Sequence, residues 1–344
     1  MRALAVVVIV AAAACSHPHV KARAKPSVEV GSNGPLDAAV RDAVTGVPGA
    51  QVVVMRGGKT QLARAYGYAS LEEHRKMTLD STARIGGLTE AFTAVATMQL
   101  TALGRLHLDD SVHGYLDLPD ADDAVTIRRL LAHQSGLHDY FDLVAKADGN
   151  LDRSPTAVFE LIAAEPLDFD PGARTERSSS DYYVLGLLIE RVTHEPLDTY
   201  LRDHVVGDAT GPLTHLCGKS DAVGYTTGPA GDPIAEPQLS EAAGFAASGA
   251  CSTAPELARW FDAFVHGRIV AAPVVAELTA SAAGEIHGHR KLAFTGQLDG
   301  FSATASYLPE IDTTYVVIAN SCCSAAGLVD TRLTRALLPD VPPS

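Results

Sequence analysis

The chain has 344 residues, 47% of them hydrophobic and 20% charged, with a formal net charge of -14 at pH 7. This is the composition of an ordinary globular protein with enough apolar residues for a large core. Its 41 acidic residues outnumber 27 basic ones and there is no basic run, which excludes nucleic acid as a partner, because phosphate contacts need clustered lysine and arginine.

At the N-terminus, Met1-Arg2 precedes an unbroken apolar run from Ala3 to Ala14 that ends in small residues. The run is too short for a bilayer, which needs about 20 residues. Residues 1–14 therefore read as a secretory signal peptide. Cys15 follows directly and resembles the acylated cysteine of bacterial lipoproteins, although Ala12 stands where such signals carry a bulkier aliphatic residue. The resemblance implies export, lipidation at Cys15 and membrane attachment at the periplasmic side of a bacterial cell envelope. The plain alternative is a cleaved signal with an incidental cysteine. Residues 15–35, polar and containing Pro, Lys and His, read as a tether, and residues 36–344 as one domain.

Leu36–Val44 reads as a short helix. Ala50–Arg56 and Thr60–Tyr66 are strand-like and flank Gly57-Gly58, a hairpin signal. Glu90–Leu106 carries Phe92, Val95, Met98 and Leu103 at helical spacing. Helical stretches follow at Asp181–Val192 and Glu256–Val265. Three strand-like runs come late, at Lys291–Thr295, Phe301–Leu308 and Thr313–Asn320, and Gly327–Leu338 closes as a helix. Strands at both ends with helices between predict an α+β domain whose antiparallel sheet joins the two chain ends.

Cysteine is informative only in part. Beyond Cys15 there are Cys217, Cys251, Cys322 and Cys323, which allow three connectivities. Export permits disulfides. A bridge between adjacent Cys322 and Cys323 would be strained, so each is expected to pair elsewhere or stay reduced. There is no C-x-x-C and no H-E-x-x-H, so nothing calls for a metal or another cofactor.

Five ordered segments resemble the serine beta-lactamase/penicillin-binding-protein family, in its class C beta-lactamase, D-alanyl-D-alanine carboxypeptidase and esterase branch. Arg84–Ala94 is similar to the nucleophile segment. Leu130–Leu137 (LLAHQSGL) is similar to the L-L-x-H-x-S-G-L signature. Pro171–Arg174 leading into Asp181–Glu190 resembles the second-motif region. Ala242–Asp262 resembles the A-G-G-L-x-S-T-x-x-D-L-A-R-F segment. Phe294-Thr295-Gly296 with Gly300-Phe301-Ser302 resembles the third motif. The resemblance covers roughly Leu36 to Leu338 and implies a beta-lactamase/transpeptidase-like fold.

Family chemistry is acyl transfer through a serine ester. It needs a Ser at a helix N-terminus and a Lys one turn on, close enough to take its proton. It also needs a second-motif Tyr or Ser, a polar residue before Thr-Gly, and two backbone N–H groups as an oxyanion hole. Carried over by position, the nucleophile is Gly87 and the Lys is Glu90. The second motif is Arg177-Ser178-Ser179 and the third is Phe294-Thr295-Gly296. An alignment-free search agrees: none of the seven lysines has a serine three residues before it, and no G-x-S-x-G occurs.

The replacements suggest their own arrangement. Glu90 and Arg177 take positions that face each other across the family's pocket, which predicts a salt bridge, with Glu90 well placed in a first helical turn. Phe294 is expected to make the opposite wall apolar. Blander readings stand beside these. Gly87 is a packing glycine, Glu90 a solvated carboxylate, and Arg177 a loop residue paired with Glu176 or Asp181. Arg177, Tyr140 and Gln297 are the ligand-contact candidates, with Asp139 and Asp142 on the expected rim. Ser178–Ser180 read as turn chemistry, and His133 and Ser135 as structural. The resulting expectation is a catalytically inactive envelope lipoprotein that binds or scaffolds a cell-wall peptide or an envelope protein. The alternative is a hydrolase with non-standard residues, using Gly87 and Gln297 N–H groups and Glu90 as base.

Overall fold

The computed structural model describes residues 29–338 apart from 32–33, 119–122, 151, 208–210, 213, 287 and 323–324. The signal peptide, Cys15, most of the tether and Cys323 lie outside the described residues.

The sequence's apolar strand runs assemble into one antiparallel sheet of seven strands, in the order β3-β2-β1-β12-β11-β10-β9. These are β1 (Gly49–Arg56), β2 (Lys59–Ser70), β3 (Arg75–Lys76), β9 (Ala283–Ile286), β10 (His289–Leu298), β11 (Phe301–Leu308) and β12 (Thr313–Ala319). The pairing of β1 with β12, Val53 opposite Val316, is where the two ends of the chain meet. Strands β1 and β12 are apolar along nearly their whole length because both faces are covered. Alternation splits their side chains between two cores. Val52, Val54, Tyr315 and Val317 pack on one face with helices α1 (Pro35–Ala43) and α11 (Ala325–Leu337). Val53, Met55, Val316 and Ile318 join the larger core on the other face, where α9 (Ala254–Val265) lies against β1, β11 and β12. Each such fully buried side chain contributes roughly 1.5–3 kcal/mol.

The helical region lies on that second face. It comprises α2 (Thr89–Ala102), α3 (Ile127–Leu131), α4 (Tyr140–Ala147), α5 (Pro155–Ala164), α6 (Ser179–Thr193), α7 (Leu197–Tyr200), α8 (Glu241–Ser248) and α10 (Ala272–Leu278). Helix α2 is central and buried around most of its circumference, packed against α6 and α8. It is shorter than the Glu90–Leu106 reading. The chain turns at Gly104 (φ +68°), Arg105 N donates to Leu100 O at 2.9 Å, and Leu103 is left exposed rather than on the apolar face.

Two small sheets complete the fold. Strand β8 (Ala250–Ser252) lies between β4 (Ala83–Arg84) and β5 (His215–Leu216), and β6 (Tyr225–Thr227) pairs with β7 (Pro233–Ala235). A disulfide joins Cys217 to Cys251, resolving the pairing that the sequence left open for these two. Among the described residues no helix is long and apolar enough to cross a membrane.

Candidate active site

The site sits where the Gly86–Leu88 turn at the head of α2 meets the end of β10. Two glycines permit that approach. A Cβ on Gly296 would fall within bonding distance of Ile85 O and 2.8 Å from Leu88 N, and one on Gly86 would sit 2.5 Å from Gln297 O. Gly86 also has φ +53°, a conformation that glycine tolerates. The turn is pinned from behind. Thr89 Oγ1 donates to Gly86 O at 2.7 Å and accepts from Ala250 N at 3.1 Å, and Ile85 N donates to Ala250 O at 3.1 Å.

Gly87 is different. Its φ is not positive, and a Cβ there would meet only Arg177 Nη2 at 3.0 Å, with Thr295 O and Gly296 Cα near 4 Å. It is not a packing glycine. The space beside it is taken by the Arg177 guanidinium.

Arg177 Nη2 donates to Glu90 Oε1 at 2.5 Å, so the expected salt bridge exists. Arg177 does not pair with Glu176, which binds Arg174, or with Asp181. The Glu90 side chain is only 15% exposed and that of Arg177 55%, so the pair has one buried and one wet end. Glu90 is thus not a solvated carboxylate. Its other oxygen lies 3.7 Å from His133 Nε2, and His133 Nδ1 lies 2.9 Å from Asp181 Oδ2. Ser135 donates its hydroxyl to Asp181 Oδ1. The site therefore holds a ladder of alternating charge, from Arg177 through Glu90 and His133 to Asp181.

Local backbone rules explain how the ladder is aimed. His133 ends α3 in the left-handed region, φ +53°. Its N–H donates to Leu130 O at 3.1 Å, and Gln134 N donates to Arg129 O at 2.8 Å. That is a Schellman cap with His where Gly is usual, a conformation that costs about 1–2 kcal/mol. It turns the imidazole toward Asp181. The loop bearing Arg177 is fastened to this turn: Gly172 N donates to Gln134 O at 2.8 Å and Glu176 N to His133 O at 2.9 Å.

Burial lowers the pKa of the His133 imidazole, but hydrogen bonds to Asp181 and Glu90 and their charges outweigh it and carry it up to about 9. Burial pushes the Asp181 carboxyl up to about 6 against the opposing pull of His133 and Ser135. At neutral pH His133 is thus a cation between two carboxylates.

The other candidates divide. Ser178 caps α6 by accepting from Ser180 N at 3.2 Å, and Ser180 donates to His138 O at 2.6 Å. Ser179 is buried. Its N–H donates to Asp139 Oδ2 at 2.7 Å and its hydroxyl lies 3.5 Å from Arg177 Nη1. The serine triplet is helix-start chemistry. Asp139 also accepts from Phe141 N at 3.0 Å, so it caps two helices. Tyr140 does not line the cleft. It is fully buried, its hydroxyl donates to Ala243 O at 2.6 Å, and burial drives its phenol well above the usual range. Phe294 is half-buried with its ring edge-on to Phe261 and Phe264, 5.6 and 6.2 Å away, anchoring β10 to α9 instead of forming a bare apolar wall. Thr295 and Gln297 are exposed at the strand's end. Ala293 N donates outward to Ala282 O at 3.0 Å, so by strand alternation Thr295 and Gln297 aim their N–H groups at that same outer edge.

Sequence reasoning set His133 aside as structural and named Asp181 only as a partner for Arg177. The available signal was the H-x-S-G-L turn itself, whose backbone places a charged ring beside α6.

Residues 36–336 match the family model described as Beta-lactamase. The chain is 30% identical over 190 residues to Protein flp of Staphylococcus aureus strain MW2, a match covering 52% of this chain and 38% of that protein. The chain thus spans well under half the length of that relative. A penicillin binding protein from Bacillus halodurans superposes with a TM-score of 0.76 at 22% identity, covering 88% of this chain and 99% of the other. The D-amino acid amidase of Ochrobactrum anthropi SV3 does so with a TM-score of 0.76 at 21% identity, covering 89% and 99%. At these identities the likeness is one of fold.

Proposed function

From a chain that belongs to the Beta-lactamase family and yet carries Gly87 at the nucleophile position, we propose a non-catalytic protein that binds or scaffolds. One observation carries this: the Arg177 guanidinium lies 3.0 Å from where a Gly87 side chain would begin, and it is clamped to Glu90 at the position of the family's Lys. Glycine offers no nucleophile. The Glu90 carboxylate has one oxygen bonded to the Arg177 guanidinium and the other beside the His133 imidazole, so neither is placed to take a proton from a water or substrate. The framework around this pair keeps its shape, which suits recognition without turnover. The ligand is a cell-wall peptide or a protein of the cell envelope, and Cys15 anchors the exported chain by lipid at the periplasmic side of the envelope.

The test is labelling of the purified protein with a fluorescent penicillin and an activated ester probe, beside a Gly87→Ser/Glu90→Lys/Arg177→Tyr variant. The natural protein is expected to form no adduct and show no turnover, and the variant to gain label. A stoichiometric adduct on the natural protein overturns the reading, and mass spectrometry would locate the true nucleophile. For the anchor, labelled palmitate is expected in the natural chain and not in Cys15→Ala; equal labelling, or none in either, refutes lipidation there.

A further inference from the structure

At the other end of the sheet from Gly87 lies a second concave surface. Strand β11 starts near the site, with Ser302 opposite Ala319, and ends with Leu308 opposite Thr313, which also faces Arg56 of β1. Its length puts the two ends roughly 25 Å apart. The far end holds a cleft of about 570 Å³ between the Gly57–Gly58 hairpin tip, the last turns of α9 and the β11–β12 connection. Small-molecule sites span about 300–1,000 Å³.

The lining carries both signs of charge in a connected series. Arg268 Nη2 donates to Asp262 Oδ2 at 2.5 Å. His266 Nδ1 lies 3.6 Å from Asp262 Oδ1, and its Nε2 lies 2.9 Å from Asp312 Oδ1. Asp262 is buried, and its carboxylate is held by Arg268 on one oxygen and by the Thr314 hydroxyl at 3.2 Å on the other. The two ends of the series face water: the Arg268 side chain is 54% exposed and that of Asp312 49%. Arg259, on the exposed side of α9, lines the same cleft. Gly58, at the exposed hairpin tip, adds no side chain to the cleft, and a Cβ there would meet nothing within 4 Å.

We propose that this cleft binds a small zwitterion, a short peptide with free termini. Guanidinium groups recognise carboxylate well, so the ligand's carboxylate engages Arg259 and Arg268 while its ammonium engages Asp312. A simple anion meets attraction at one end and repulsion at the other, and a simple cation the reverse. A molecule carrying both charges satisfies both ends.

Glycylglycine titrated into the intact protein by calorimetry tests this. Saturable binding is expected. N-acetyl-glycylglycine and glycylglycine amide, each lacking one charge, should bind at least about tenfold more weakly, as loss of one charged hydrogen-bonding partner implies. Arg259→Gln and Asp312→Asn should weaken glycylglycine by a similar factor while melting as the natural protein does. Arg177→Gln should bind it normally. Three outcomes overturn the proposal: no heat and no rise in Tm at millimolar glycylglycine, undiminished affinity in the Arg259→Gln/Asp312→Asn double variant, or loss of binding in Arg177→Gln, which would place the ligand beside Gly87.

Discussion

The charge ladder makes stability depend on pH in a window belonging to His133. Below pH 6.5 the imidazole is protonated in both the native and unfolded chain, and its stabilisation is fully present. Between 6.5 and about 9 the unfolded chain sheds the proton while the native state, holding it between Asp181 and Glu90, does not. Stability therefore falls as pH rises through this interval and the contribution is gone above it. The gap between 6.5 and about 9 is worth at most about 3 kcal/mol. Asp181 blurs the window only at its lower edge. Its native pKa, about 6 against an ordinary 3.8, is also raised, so its effect is likewise lost as pH rises, but mostly between those values, and it overlaps only the start of the His133 window. The perturbation is His133→Asn, which tolerates the left-handed backbone and cannot be charged. Urea unfolding of both proteins from pH 6.5 to 9.5 should show the natural protein's advantage shrinking by about 3 kcal/mol. Glu90→Gln should move the midpoint of that loss to lower pH. Parallel profiles for the natural protein and His133→Asn would refute the ladder.

The glycines at the site should respond oppositely: Gly296→Ala drives a Cβ into Ile85 O and should cost several kcal/mol, whereas Gly87→Ala meets only the movable tip of Arg177 and should change the unfolding free energy from urea titration by under about 1 kcal/mol. Replacing both Cys217 and Cys251 by Ser should cost about 3–4 kcal/mol, from release of a loop with a sequence separation of 34, and a reductant should lower the natural protein's Tm to match. Asp330 accepts from Lys291 and, at 2.6 Å, from Ser306 beneath α11, so Asp330→Ala should cost about 3–5 kcal/mol by leaving a largely buried ammonium unpaired. Pairing it with Lys291→Met should restore part of that loss in a double-mutant cycle.

The fold was legible because its signals are redundant. Each late strand and both terminal helices carry their own period, and the order of five motif segments constrains the rest. The Glu90–Arg177 pair was legible because both positions were already placed by flanking motifs. What the sequence hid depended on backbone direction. Tyr140 follows a signature turn and reads as rim, but α4 starts at Tyr140 and turns the ring toward Tyr183 in the core. Phe294 sits in the third motif, yet its ring belongs to the Phe261–Phe264 cluster, residues some 30 positions earlier that share no local pattern with it. His133 reads as structural because the H-x-S-G-L string marks a turn but not the αL backbone direction that swings its ring between two carboxylates.

The architecture around Gly87 does not depend on the residues that changed. The turn is held by Gly86 and Gly296 meeting backbone to backbone, by Thr89 reaching Gly86 and Ala250, and by β4 pairing with β8 behind it. None of these uses a nucleophile, a base or a third-motif side chain. A chain with Gly87 and Glu90 at the family's Ser and Lys positions therefore keeps every support of the turn, and Arg177 and Glu90 stand beside Gly87 as a paired cation and anion. The same independence makes the restoring triple substitution a fair experiment. Gly87→Ser adds atoms where only Arg177 stands, and Arg177→Tyr withdraws that obstacle. Glu90→Lys takes away one of the two carboxylates beside His133 and puts a cation there, so it should lower the imidazole's pKa. A triple variant that folds with the natural Tm but keeps a high His133 pKa would mean that Asp181 alone sustains the charge, and that Glu90 is a partner of Arg177 only.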